Sequence, residues 1–295
     1  MAVTPPQSAP TQANKRRPRV IVLGATDQRG RADVALDLRP LIEAHTEVVL
    51  WDSDFEADLA EVDAEMALVL GGDGSILRAA RQMGYRQLPV VGVNLGRLGF
   101  LADLSPDELA GALPKLATGD YRVIRHLMFD CRLVRGGNVL ERQLALNEAA
   151  IRAGDPFHIL DVELYVDSEL ATTYSCDGLI VGTPIGSTAH CLSAGGPILR
   201  KDLQAVVICP ISPHTLTNRP VVDSADRIYE LVVAPKSSGA SAVVDGRAPW
   251  PLEPNDRVQI RRAEPEFQLV EIAGHGYYVT LREKLGWSGR LRMLS

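Results

Sequence analysis

Apolar and polar positions along this chain follow one rhythm before Tyr121 and another after it. Before it, Val20–Leu23, Glu47–Trp51, Met66–Leu70 and Pro89–Val93 are short, mostly apolar runs, each suited to a strand covered on both faces. Between the first two, residues 31–44 set Val34, Leu38, Leu41 and Ile42 at helical spacing, with Pro40 as an internal blemish. A second helix is predicted from Ile76 to about Met83. A third starts at Ser105-Pro106-Asp107-Glu108, which offers a serine cap, proline at the first position and acids in the first turn. Asp52, Asp54, Glu56, Asp58, Glu61, Asp63 and Glu65 form an acidic connection that reads as solvated surface.

After Tyr121, strand follows strand. The pattern predicts Leu127–Arg135, Val139–Arg152, Leu160–Val166, Leu170–Tyr174, Leu179–Val181, Ala205–Cys209, Arg227–Val233, Ser241–Val244, Arg257–Arg261 and Phe267–Ile272, with turns at Gly136-Gly137-Asn138 and Asp167-Ser168. A helical pattern returns at Val279–Leu285. The expected fold class is an α/β N-terminal domain with a parallel sheet, over residues 19–122, plus an all-β sandwich-like C-terminal domain, over residues 123–279. Residues 280–295 are expected to fold back on the first domain. Residues 1–18, rich in Pro, Ala, Gln and Thr, read as a disordered tail.

Composition narrows the function classes. The chain has 295 residues, 46% hydrophobic and 23% charged, with net charge −6, so bulk electrostatics give no reason to expect nucleic-acid binding. No apolar run approaches about 20 residues, so no membrane span is expected. Cys131, Cys176, Cys191 and Cys209 show no Cys-x-x-Cys spacing, which argues against a zinc site or redox pair and for a reducing cytoplasm.

Four segments carry candidate chemistry. The first is Gly71-Gly72-Asp73-Gly74-Ser75, between a buried strand and a helix. Backbone N–H groups at such a helix start, with the helix dipole, hold phosphate, and glycine allows close approach. Asp73 repels phosphate unless it meets a cation or a hydroxyl, so the loop reads either as phosphate chemistry with a built-in base or magnesium handle, or as a plain turn capped by Ser75. The second is Asn147-Glu148, polar groups inside an apolar strand; Glu148 either faces solvent or serves a ligand. The third runs from Asp177 to Pro197, combining glycines, hydroxyls and small residues suited to the ribose, base edge and phosphates of a nucleotide. The fourth, Pro210–Pro220, carries His214 and Arg219. Val244-Asp245-Gly246 reads as a hairpin turn. There is no Walker-type loop or kinase His-Arg-Asp loop, and Gly92–Gly99 does not fit the Rossmann spacing.

In this order, the segments resemble the NAD kinase family over nearly all of residues 19–285. The resemblance rests on Gly71-Gly72-Asp73-Gly74, Asn94–Leu101, Asn147-Glu148, Asp177-Gly178 with Thr183-Pro184-x-Gly186-Ser187-Thr188-Ala189, Ser193-Ala194-Gly195-Gly196-Pro197, and Pro213-His214-x-Leu216-x-x-Arg219-Pro220. It implies ATP-dependent phosphorylation of the 2′-hydroxyl of NAD's adenosine ribose, with magnesium or another divalent cation. It also implies a site in the cleft between the domains and a homodimer or homotetramer with sites completed across subunits. Asp73 would be the general base and help place the metal. Gly71, Gly72 and Gly74 would cradle phosphates, and Ser75 keeps a hydroxyl where the family usually has Thr. Asn147 and Glu148 would bind ribose hydroxyls, Asp177 a base or amide edge, and Thr188 and Ala189 an adenine edge, with Ser193 in the same binding set. The chain departs from the family at Ile185, which loses a hydroxyl, and at His190, which replaces a stacking Tyr and suggests pH-sensitive binding. The alternatives are a lipid or sugar kinase with a similar loop and a non-catalytic dinucleotide sensor.

Overall fold

The structure is a computed structural model and describes residues 17–24, 31–96, 99–102, 104–154, 159–215, 217–234, 239–272 and 277–286. Residues 1–16 of the expected tail, Arg97, Leu98, Leu216 and residues 287–295 lie outside the described residues. The N-terminal elements are β1 (Arg19–Gly24), α1 (Arg31–His45), β2 (Glu47–Asp52), β3 (Met66–Leu70), α2 (Asp73–Met83), β4 (Val90–Val93), α3 (Pro106–Thr118) and β5 (Arg122–His126). Then come β6 (Phe129–Arg135), β7 (Asn138–Ala145), β8 (Glu148–Arg152), β9 (Leu160–Val166), β10 (Glu169–Cys176), β11 (Gly178–Gly182), α4 (His190–Ser193) and β12 (Ala205–Ile211). The chain closes with β13 (Val221–Ser224), β14 (Tyr229–Val233), β15 (Ser241–Val244), β16 (Trp250–Pro251), β17 (Arg257–Arg262), β18 (Phe267–Glu271) and α5 (Tyr277–Leu285).

The first sheet runs β2-β1-β3-β4-β18-β5. Neighbours among β1 to β4 pair in parallel, as the apolar runs require. Side chains alternate between its faces with period two. Val20, Val22, Leu68 and Leu70 pack with Leu38 and Ile42 of α1 and with Leu109 and Leu113 of α3. Ile21, Leu23, Ala67 and Val69 pack with Ile76, Ala79, Ala80 and Met83, the i, i+3, i+4, i+7 stripe of α2. The Ser105 cap forms as expected, a full capping box with Glu108. The acidic connection is not all solvated: buried Asp52 accepts the backbone N–H groups of Asp54 and Ala57 and the side-chain amide of Gln82.

The second domain is a sandwich of two antiparallel six-stranded sheets, β10-β9-β14-β17-β6-β7 and β13-β12-β11-β8-β15-β16. Its core draws Leu160, Val162 and Leu164 from one sheet and Leu179, Val181 and Ile151 from the other. Two expectations change. Phe267–Ile272 belongs to the first sheet, where β18 lies parallel to β4 and antiparallel to β5, so the expected boundary at 122/123 falls inside a strand of that sheet. An apolar run announces a strand but not its partner. The predicted strand Val139–Arg152 breaks at Leu146-Asn147, where the chain crosses from one sheet of the sandwich to the other. Met128, Leu144, Leu146, Ile185 and Ala263 of the second domain join the cluster around α2, which places the start of α2 at the seam between the domains.

Candidate active site

Fully buried β3 delivers the chain to Gly71, whose φ of 146° is open to glycine and whose Cβ position lies 2.2 Å from Ser75 Oγ. The helix begins three residues earlier than expected, so Asp73 stands in the first turn of α2 instead of in the loop. There a carboxylate meets the positive end of the helix dipole, which is why helical geometry extends back to it. Ser75 is not the cap: Gly72 holds that position without a side-chain bond, and the Ser75 amide donates to Gly72 O at 2.9 Å. Gly74 is exposed and open toward the seam.

Backbone amides fix the Asp73 carboxylate. Phe100 N–H donates to Oδ2 at 2.8 Å, while Leu101 N–H and Ala102 N–H donate to Oδ1 at 2.9 and 3.2 Å. A carboxylate offers about four lone-pair sites. Among the described residues, Oδ1 therefore has both of its own engaged, and Oδ2 keeps one for a hydroxyl or cation. Gly99 makes this approach possible, because a Cβ there would stand 2.1 Å from Asp73 Oδ1.

The Asn147-Glu148 segment is built around Asp245, which the sequence pattern presents as a simple turn residue. Asp245, at φ 46° after β15, accepts backbone N–H groups from Leu146, Asn147 and Glu148 at 2.7, 2.8 and 3.0 Å. These bonds hold the crossing between β7 and β8. On its other side, Thr183 donates through Oγ1 to Leu146 O at 2.6 Å and through its amide to Asn147 O at 2.8 Å. A Cβ at Gly186 would lie 2.0 Å from Asn147 O, so the third segment presses directly on the second. Glu148 does not face solvent: it is 9% exposed, and its Oε2 has no hydrogen-bond partner among the described residues. Burial, and then the negative charge of Asp245, push its pKa up to about 8. Burial also raises Asp245, against the pull of its three amides.

Beyond Thr183, a 3-10 turn at Gly186–Thr188 leads into the single turn α4. Thr188 Oγ1 donates to Ile185 O at 3.0 Å, and Thr188, Ala189 and His190 are half-buried, with Ser193 exposed. Burial and then Arg152 lower the pKa of His190, so the imidazole is neutral near pH 7 and any pH sensitivity moves to acid. Ile185 is 3% exposed and packs in the seam with Ile76 and Leu146; a hydroxyl there would be buried in an apolar cluster. Asp177 is not gathered with these residues. It is exposed, 3.2 Å from His214 Nε2, at the end of β11 away from Thr183, roughly 20 Å along the strand by strand rise.

A pocket of about 480 Å³ opens where Gly74, Arg78 and Arg81 of α2 face Gln143, Asp245 and Arg247 of the second domain. Arg247 donates to Gln143 Oε1 at 3.0 Å, and Arg78 stacks on Phe55 at 4.4 Å. Partial burial, then the like charges of Arg247 and Arg78, lower the pKa of Arg81. Three guanidinium groups around one open pocket suit a polyanion. The sequence motifs mark none of the three. The available signal was Arg78 and Arg81 at i, i+3, one turn past a phosphate loop. Among the described residues, no group of three His, Cys, Asp or Glu side chains could hold a metal by itself.

A family profile for the ATP-NAD kinase N-terminal domain matches residues 11–121, and one for the ATP-NAD kinase C-terminal domain matches residues 146–272. The chain belongs to the NAD kinase family. The NAD kinase of Rhodopirellula baltica is 54% identical over 278 residues, covering 94% of this chain and 89% of the relative. That of Geobacter metallireducens is 42% identical, covering 85% and 89%. An NAD kinase from Archaeoglobus fulgidus, solved in complex with ATP, superposes with a TM-score of 0.73 at 29% identity, covering 92% of this chain and all of that one (100%). Yeast NADH kinase, solved with NADH, shares the fold with a TM-score of 0.80 at 21% identity, covering 95% and 91%. As an NAD kinase, the chain is a phosphotransferase that uses ATP. The lipid-kinase, sugar-kinase and sensor alternatives give way to this assignment. Among the described residues, no helix is long and apolar enough to cross a membrane.

Proposed function

We propose that the enzyme transfers the γ-phosphoryl group of ATP to the 2′-hydroxyl of the adenosine ribose of NAD, giving NADP and ADP, with Asp73 as general base. The observation that carries this reading is the fixed Asp73 carboxylate with one open position on Oδ2, in the first turn of a helix that follows a glycine loop. A secondary hydroxyl is a poor nucleophile until a positioned base takes its proton as the new bond forms. The ribose oxygen attacks the γ-phosphorus, its proton passes to Asp73 Oδ2, and the bond to the bridging β,γ-oxygen breaks. The rest is alignment and charge neutralisation. The Arg78, Arg81 and Arg247 pocket holds the donor's phosphates, beside Gly71, Gly72 and Gly74. Glu148 Oε2, buried and without a donor among the described residues, takes a ribose hydroxyl with Asn147 alongside. Thr188, Ala189, His190 and Ser193 line the adenine.

The donor set fits a magnesium ion that arrives with nucleotide phosphates, since that ion needs only one or two carboxylates and keeps its waters. With the open position of Asp73 Oδ2 given to the hydroxyl, Asp245 in the pocket lining is the carboxylate at hand, and the ion would supply neutralisation of phosphate charge. Asp177 lies too far along β11 to serve the same protomer's pocket, which supports a homodimer or homotetramer in which it reaches a neighbour's site. All four cysteines are buried free thiols, which supports a cytoplasmic location. Asp73→Asn keeps the shape and most of the hydrogen bonding but removes the base. NADP formation should fall by at least about a hundredfold, with NAD binding kept; a variant at wild-type rate would rule out the base assignment.

A further inference from the structure

The amides that orient Asp73 are themselves held from the far side. The peptide between Phe100 and Leu101 donates its N–H to Asp73 Oδ1 at 2.9 Å. The carbonyl of that same peptide accepts a hydrogen bond from Lys201 Nζ, on the turn between α4 and β12. One peptide unit thus stands between an ammonium and a carboxylate. In a trans peptide the C=O and N–H point in opposite directions, so a cation on the oxygen polarises the group and makes the N–H a better donor.

The rest of the clamp comes from two elements, α5 and β5. Lys201 Nζ lies 5.8 Å from the Tyr277 ring of α5, and Tyr277 hydroxyl donates to Leu199 O at 3.1 Å. Lys201 O pairs with Nδ1 of buried His126 on β5 at 3.1 Å. Lys284 of α5 sits over the Phe100 ring at 5.5 Å. The turn carrying Lys201 is therefore tied to the first sheet and to the C-terminal helix, and its side chain reaches the loop that carries the Asp73 donors.

We propose that Lys201 is a positioning residue for phosphoryl transfer, acting through the Phe100–Leu101 peptide to hold the Asp73 carboxylate in its reactive orientation. The inference rests on the reading of Asp73 as the base. It does not place Lys201 in contact with either substrate, so its removal should lower turnover and leave binding in place.

The test is steady-state kinetics on the full chain with ATP and NAD. Lys201→Met keeps the stem and removes the charge. It is expected to lower kcat about tenfold, because the peptide that orients Asp73 loses one charge-assisted hydrogen bond. KM for ATP and NAD should stay within about twofold, since Lys201 touches neither substrate and acts only on the orientation of Asp73. Lys201→Arg restores a cationic donor and should return kcat to within about threefold of wild type. A wild-type kcat in Lys201→Met, a loss carried by KM, or equal impairment of the Met and Arg variants would each overturn the proposal. Asp73→Asn separates the two readings. If it is fully active, the base assignment fails whatever Lys201→Met does. If it is inactive while Lys201→Met turns over at the wild-type rate, this inference alone fails.

Discussion

Glu148→Gln should make the ligand-free enzyme more stable at alkaline pH while weakening its hold on NAD. Glu148 is 9% exposed, its Oε2 lacks a partner among the described residues, and its pKa is raised from 4.5 to about 8 by burial and then by Asp245. An acid raised in the folded state keeps its proton there after the unfolded chain has lost it. Stability is therefore highest below the unfolded pKa, falls as pH climbs to the folded value, and is level above it. Each pKa unit corresponds to about 1.36 kcal/mol, so ionised Glu148 costs the folded state up to about 5 kcal/mol, with relaxation and water entry leaving roughly 2 kcal/mol or more. Gln fills nearly the same volume and never ionises. Urea unfolding of the two ligand-free proteins, followed by circular dichroism from pH 5 to 9, measures the gap. The Gln variant should match wild type near pH 5 and gain about 2 kcal/mol or more by pH 8.5. NAD affinity should drop about tenfold or more, because the amide offers the ribose hydroxyls one acceptor oxygen where the carboxylate offers two. A stability gap that stays constant across this pH range would refute the account of Glu148 as a buried, unpaired carboxyl.

Three further outcomes follow from the same geometry. Gly99→Ala puts a methyl group where only 2.1 Å separates its Cβ position from Asp73 Oδ1. It should cut kcat about a hundredfold by displacing the carboxylate, with KM for NAD nearly unchanged, in a steady-state assay. Arg81→Met should raise KM for ATP about tenfold or more; a rise in KM for NAD instead would assign the arginine pocket to the acceptor. Ile185→Thr buries a hydroxyl in the cluster with Ile76 and Leu146. It should cost about 2–3 kcal/mol in chemical denaturation, and an unchanged midpoint would mean the position is not core.

Much of the fold was legible because its signals are local. The runs at β1, β3 and β4 are apolar throughout, which only a sheet covered on both faces explains, and Ser105 with Glu108 announces its own helix. The glycine loop was legible too, since a strand, a loop and a helix in sequence put N–H groups and a dipole at one point. The start of α2 was less so. Asp73 looked like a loop residue because its apolar stripe begins only at Ile76, whereas the dipole and the 100–102 amides favour a carboxylate in the first turn. The run Val139–Arg152 gave no sign of its break, because the bonds that bend it come from Asp245, about a hundred residues away.

The sequence by itself determined most of the elements, the fold class and the family, because hydrophobic period, caps and ordered motifs are written in neighbouring residues. Tertiary structure alone decided which sheet receives β18, that Glu148 turns inward, and that Asp177 stands apart. It also brought Arg78, Arg81 and Arg247 to one pocket and set Lys201 behind the peptide that faces Asp73. Each of these depends on a partner distant in the chain. Burial, charge proximity and hydrogen-bond satisfaction are properties of the packed molecule, and no local pattern of residues carries them.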